Sequence, residues 1–218
     1  NPALANVSAT FSRGWTGIIG NNGCGKSTLA RIACGIITPE FGSITPFLTF
    51  AYCEQDAGNE PSMLFDFACD YSPTAQHLRS ILNIEDDMLW RFTELSSGEQ
   101  KKIQVATALW MEPELLVLDE PTNHVDVVCR AEIQKALATY KGIGLLISHD
   151  RTLLDALASN CLCFEGSQAV MRPGGYSQAK AQAQQDTLTA TRAKEAQKAK
   201  VQKLQAEYAQ RANKASQT

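Results

Sequence analysis

Short apolar runs recur along the chain, each followed by residues that stop a strand or open a helix. Thr16 to Ile19 ends on Gly20 and a glycine-rich turn; Ser27 to Cys34 then carries helical spacing, and Gly35 is placed to terminate it. This predicts strand, loop, helix. Leu115 to Leu118 and Ile143 to Ile147 are continuous apolar runs without alternation, the pattern of strands buried on both faces of a parallel sheet. A helix from about Ser97 to Trp110 leads through Pro113 into the first of them. Cys161 to Phe164 and Gln168 to Met171 flank Glu165-Gly166-Ser167 and predict a closing hairpin.

Between these runs, residues 36 to 60 are rich in Pro, Gly, Thr and aromatics and predict short strands with turns, whereas 62 to 94 mixes helical periodicity with acidic and polar positions. A small helical subdomain is therefore expected over about 62–110. After Gly174-Gly175-Tyr176 the composition shifts to Ala, Gln, Lys and Thr without Gly or Pro, and Val201, Leu204 and Tyr208 are spaced for one helical face. Residues 178–218 are then expected to form a basic helical segment, the alternative being a disordered polar tail; the helix would be roughly 55 Å long if continuous over 178 to 214. It is expected to project from a domain spanning 1–177.

The chemistry lies at the ends of the predicted strands. Gly20-Asn21-Asn22-Gly23-Cys24-Gly25-Lys26-Ser27-Thr28 matches the phosphate-binding P-loop, in which glycines let backbone N–H groups converge on phosphates at a helix N-terminus. Lys26 suits the β and γ phosphates of ATP, and Ser27 can place its hydroxyl on Mg²⁺. Asp119-Glu120 follows the Leu115 strand, where open α/β sheets bind ligands. Asp119 is expected to hold Mg²⁺ and Glu120 to polarise the attacking water.

Leu95-Ser96-Ser97-Gly98-Glu99-Gln100, shortly before the acidic strand, resembles the signature motif of ABC ATPases. Further matches follow in family order: Gln55 at the Q-loop, Pro121 to Asp126 at the D-loop, and Ser148-His149-Asp150 at the switch histidine. The resemblance covers roughly residues 4 to 176. It implies an α/β P-loop NTPase of ABC type, with a mainly parallel sheet, a small antiparallel β subdomain and a helical subdomain, followed here by the extended helix. Asp119-Glu120-Pro121-Thr122-Asn123-His124-Val125-Asp126 resembles the ABC-F branch in particular, supported by Ile147 to Arg151, Leu154-Asp155 and the basic segment.

The resemblance implies a site completed by a second ABC domain, on the same natural chain or in a homodimer. Ser96, Ser97, Gly98 and Glu99 would face ATP bound by that partner, Asp126 would couple the two sites, His149 would contact the γ-phosphate, and Gln55 would join Ser27 and Asp119 around Mg²⁺. The basic linker implies contact with the ribosome or its RNA. The alternatives are a nucleotide-binding subunit of a membrane transporter and a catalytically silent module. Ser97 stands where the family usually has glycine, and its Cβ is expected to hinder close approach to the γ-phosphate. The family's adenine-stacking aromatic is expected upstream of Asn1, with Trp15 a poor substitute, so reduced nucleotide affinity is expected of the chain as given.

Composition narrows the setting. The formal charge of −3 conceals a basic tail: residues 178 to 218 hold eight Lys/Arg against three Asp/Glu, so a polyanionic partner would meet the tail. No apolar run is long enough to span a bilayer. Asn1-Pro2-Ala3-Leu4 is no export leader, and seven cysteines without C-x-x-C spacing do not form a disulfide framework. A cytoplasmic setting is expected. Cys24 reads as a small tolerated residue, Cys161 and Cys163 as facing opposite sides of a strand, His77 and His124 as surface groups, and Trp15, Trp90 and Trp110 as packing groups.

Overall fold

The computed structural model describes residues 4, 7–165 and 168–215, with side chains described as far as residue 198 and at a few positions beyond it. It divides into two compact units, Asn1–Ala179 and Lys180–Thr218. The first is built on a six-stranded sheet. In chain order the strands are β1 (Gly14–Ile19), β2 (Phe50–Cys53), β3 (Leu115–Asp119), β4 (Ile143–Ile147), β5 (Ala158–Glu165) and β6 (Gln168–Pro173). The sheet order is β2-β3-β4-β1-β5-β6, parallel except for the β5–β6 edge pair.

The helices are α1 (Lys26–Ala33), α2 (Leu64–Cys69), α3 (Pro73–Leu82), α4 (Ser97–Trp110), α5 (Val127–Leu137), α6 (Arg151–Leu157) and α7 (Tyr176–Ala215), with two 3-10 turns at Asp86–Trp90 and Phe92–Glu94. Side chains two apart on a strand share a face, and this sorts the core. Leu115, Val117, Leu145 and Ile147 pack with Ile18 and with Ala30 of α1. Leu116, Leu118 and Leu146 face the opposite way, into a larger cluster with Phe67, Leu82, Ile103, Ile133 and Leu137. The helices over 64–110 therefore share their core with the sheet. Trp15 packs in the same cluster and donates its indole N–H to Leu137 O. Its register partner is Gly144, where a Cβ would come within 2.3 Å of the indole; a larger residue on β4 would displace the ring.

Several sequence expectations are corrected. Residues 36–49 form no strand; in the 36–60 stretch only β2 is extended, and it pairs parallel with β3. Pro39 and Pro46 lack the N–H that a ladder needs, so the antiparallel component is the β5–β6 pair. Cys161 and Cys163, two apart, lie on one face and are buried in the same small cluster with Ala158 and Ala179. Trp90 is 61% exposed, set edge-on to the equally exposed Phe65, because its short 3-10 turn buries Met88 and Leu89 instead. Expectations at Asn1 to Ala3, at the turn residues Gly166 and Ser167, at Ser216 to Thr218, and for the Val201, Leu204 and Tyr208 side chains lie outside the described residues.

One arginine organises the helical region. A helix leaves its last carbonyls without intrahelical partners, and Arg79 from α3 supplies them for α2: its guanidinium donates to the carbonyls of Phe67, Ala68 and Asp70 and pairs with Asp86 at 3.2 Å. Arg79→Ala would leave these carbonyls with no donor from α3. The expected loss is about 3 kcal/mol, read as a thermal midpoint lower by roughly 10 °C.

Candidate functional site

Register places the site. Because β2, β3, β4 and β1 are neighbouring parallel strands, their carboxyl ends lie along one edge of the sheet. Asp119 pairs with Ile147, and Ile147 with Ile18, so Asp119-Glu120, Ser148-His149 and Gly20 leave adjacent strands at nearly the same level. Cys53 pairs with Leu118, which brings Glu54 and Gln55 out beside them. This is where open α/β sheets take ligands.

The Gly20–Thr28 loop connects β1 to α1. Gly23 and Gly25 have φ of 79° and 102°, left-handed conformations that favour glycine. A Cβ at Gly20 would meet Cys24 Sγ at 2.6 Å and Phe164 Cβ at 2.7 Å, so the loop passes too close to its neighbours for any larger residue. No side chain caps α1, and its first turn holds no acid. The donors there are left to an outside acceptor. Lys26 is buried, and its ammonium donates to Gly20 O at 2.9 Å and Asn21 O at 3.1 Å, folding the side chain over its own loop. A loop with this shape and charge fits a polyphosphate, and the Ser27 hydroxyl with the Asp119 carboxylate offers the hard oxygen donors that Mg²⁺ prefers.

Asp119 is buried and accepts a hydrogen bond from Tyr52 Oη at 3.0 Å. Burial, then the Asp119 charge, pushes the Tyr52 phenol above its ordinary value. Glu120 stands in a left-handed backbone conformation, φ 50°, which is costly for a residue with a Cβ and recurs at functional sites. There its N–H bonds to Ile147 O at 2.8 Å, and one carboxylate oxygen accepts from His149 N at 3.2 Å. Burial raises the Glu120 pKa, helped by Asp119 and opposed by His149 and Lys26.

His149 joins the two halves of the site. Its Nε2 lies 3.0 Å from Asn22 Oδ1 and 3.5 Å from Glu120 Oε1. Both partner atoms are acceptors, an arrangement that suits the tautomer with its N–H at Nε2. Asp150, next in sequence, caps α6 and holds Thr122 and Arg130 at 3.3 Å each. A cavity of about 420 Å³ opens among Glu120, Asn123, Arg130, His149 and Arg151.

Other sequence-predicted residues lie apart. Ser96 caps α4 in a reciprocal box with Glu99, donating its hydroxyl to Glu99 Oε2 at 2.7 Å; Ser97 is exposed at the first helical position. Among the described residues, no hydrogen bond or ion pair links Ser96–Glu99 to Gly20–Thr28, Glu120 or His149. Instead Gly98 O accepts from Cys129 Sγ of α5, the helix that Asp126 caps. Gln55 is exposed, and it is its backbone carbonyl that is engaged.

Sequence reasoning missed three partners: Tyr52, Lys101, which donates to Glu54 O and Gln55 O, and Lys102, which pairs with Glu132. Burial lowers the Lys101 pKa, opposed by charges that include Asp56 and Asp119. The available signal was two lysines beside Ile103, Val105 and Ala106, where helical spacing forces charge inward.

Residues 4–123 match the family model described as ABC transporter. The chain belongs to the ABC ATPase family. It is an ATP-binding domain of that family, and its relatives include Uup and VmlR, members of the ABC-F branch. It is 33% identical to the ribosome protection protein VmlR of Bacillus subtilis over 88% of this chain and 34% of VmlR. It is 32% identical to the ATP-binding protein Uup of Haemophilus influenzae over 82% of this chain and 30% of Uup. The chain thus spans about a third of these relatives. Among solved structures, the archaeal ribosome recycling factor in complex with a ribosomal stalk protein superposes with a TM-score of 0.68 at 25% identity, covering 81% of this ABC domain chain and 37% of that one. A dimeric ATP-binding cassette in a post-hydrolysis state with ADP and Pi, 19% identical, shares the fold at a TM-score of 0.64, over 78% of this chain and 90% of that one.

Proposed function

We propose that this ABC domain is one of two ATP-binding halves of an ABC-F protein that acts on the ribosome in the cytoplasm, closing on ATP and reopening after hydrolysis. The observation that carries the reading is the division of the catalytic parts. Glu120, His149 and the P-loop form one contiguous group, while the signature residues sit at the start of α4, tied to α5. Two such domains facing each other complete each other's sites, with Ser96–Glu99 of one against the phosphates held by Gly20–Thr28 of the other. Val127 and Val128, 78% and 67% exposed beside Asp126, are the apolar surface expected where two copies meet.

In this reading Lys26 and the α1 N-terminus would hold the phosphates, and Ser27, Asp119 and Gln55 would hold Mg²⁺, whose chemistry there would be to offset the phosphate charge. Glu120 takes a proton from the water whose oxygen bonds to the γ-phosphorus, the bond from that phosphorus to the β–γ bridging oxygen breaks, and ADP leaves with the bridging oxygen while the γ-phosphoryl group departs as phosphate. His149, fixed by Asn22 and Glu120, orients toward the γ-phosphate. The chain alone binds ATP but turns it over slowly. Differential affinity of ATP for the closed pair supplies the conformational change.

The ribosome as partner is supported by the chain's similarity to the ribosome protection protein VmlR and to the archaeal ribosome recycling factor, and by the excess of lysine and arginine after residue 177. The test is cosedimentation with ribosomes of the longer natural chain carrying Glu120→Gln. ATP-dependent binding is expected, weakening as salt rises. Closure of the pair on ATP without ribosome binding would reject the ribosomal role and favour a transporter subunit. Among the described residues no helix is long and apolar enough to cross a membrane.

A further inference from the structure

Two adjacent lysines are buried on α4, and their partners differ in kind. Lys102 faces the carboxylate of Glu132 at 3.2 Å, charge against charge. Lys101, only 2% exposed, forms no ion pair among the described residues. Its ammonium donates to Glu54 O at 2.7 Å, Gln55 O at 3.0 Å and Gln104 Oε1 at 2.8 Å. An ammonium has three N–H donors, and all three end on neutral oxygens. Burying a cation without a paired anion is unfavourable compared with an apolar side chain of the same length. Packing therefore does not account for a lysine here, whereas the position of the loop it grips does.

That loop is Glu54-Gln55. It leaves β2 one residue beyond Cys53, the partner of Leu118, and so stands level with Asp119 at the nucleotide edge of the sheet. Tyr52, just before it, already bonds to Asp119. On the other side, Lys101 is five residues past Ser96, the cap of the helix that begins with the signature residues. One ammonium thus joins the signature helix to the loop carrying Gln55, through backbone carbonyls and not through the Gln55 side chain.

We propose that Lys101 is a positioning residue for the metal–phosphate site: by clamping the Glu54 and Gln55 carbonyls it sets where the Gln55 side chain starts, and it makes that position depend on α4. The inference rests on the reading of Gln55 as a Mg²⁺-site residue. It assigns Lys101 no contact with nucleotide.

The test measures ATP binding by the full natural chain across a Mg²⁺ titration and in EDTA, for Lys101→Met, Gln55→Ala, the double variant, and Lys102→Met as comparator. Lys101→Met is expected to leave Mg²⁺-free affinity within about twofold and to raise the half-effective Mg²⁺ concentration about tenfold, the size seen when an outer-shell partner of a metal site is lost. Gln55→Ala should do the same, and the double variant should be no worse than either single one, since both act through one group. Lys102→Met should lower the thermal midpoint without moving the Mg²⁺ midpoint. If Lys101→Met does not fold, Gln104→Leu, which removes one of the three acceptors, should shift the Mg²⁺ midpoint in the same direction by a smaller factor. A Lys101→Met or Gln104→Leu protein that folds and keeps the wild-type Mg²⁺ midpoint while Gln55→Ala shifts it would overturn the positioning role alone. A Gln55→Ala protein with an unchanged midpoint would overturn the reading of Gln55 and the inference built on it.

Discussion

Replacing Glu120 by glutamine is expected to lower ATP turnover by a paired form of this protein by about 10²- to 10³-fold, the scale of a lost general base, while ATP binding persists. Glutamine keeps the shape and one oxygen to accept from His149 N, but it cannot take the proton of water. Single-turnover hydrolysis measured beside nucleotide retention checks this; turnover within threefold of wild type would remove Glu120 from the role.

The same variant should be more stable near neutral pH. The Glu120 pKa is raised by burial and by Asp119, so between the ordinary carboxylate value and the raised one the folded state binds more protons than the unfolded state. Stability then falls as pH rises through that window. Glutamine has no such dependence. Thermal midpoints for the two proteins should converge below the ordinary carboxylate pKa and separate above the raised one, with the variant higher. Activity and stability thus move in opposite directions, which distinguishes lost chemistry from damage to the fold.

Lys26→Ala is expected to weaken ATP binding on the order of 100-fold, from about 3 kcal/mol of charge-assisted hydrogen bonding to phosphate. Lys26 also donates to Gly20 O and Asn21 O, so its removal should loosen the loop itself, visible as faster amide exchange across residues 20–25. Nucleotide titration by calorimetry provides the readout; affinity within fivefold of wild type would show that the loop backbone binds without the ammonium.

Much of this was legible in the residues. The β1, β3 and β4 strands announce themselves because strands covered on both faces are apolar without alternation, and each is followed by the group it presents: Gly20, Asp119-Glu120 or His149. The loop glycines are explained by backbone conformation, which is local. Less legible was the 36–60 stretch, where aromatic content suggests strands but the ladder depends on a partner in space. Trp90 and the Cys161–Cys163 pair were misjudged for related reasons: exposure depends on which neighbours a turn buries, and facing depends on strict strand period.

The sequence by itself determined the motifs and their order: a phosphate loop, a signature, an acidic pair and a histidine at spacings that one family shares. Tertiary structure alone decided the connections. Nothing in the chain order says that Asn22 and His149 share a hydrogen bond, that Tyr52 reaches Asp119, or that Lys101 and not Lys102 grips the Gln55 loop. Such contacts join residues tens of positions apart, and they arise from strand register and helix rotation, which are fixed by packing of the whole core and not by any local preference.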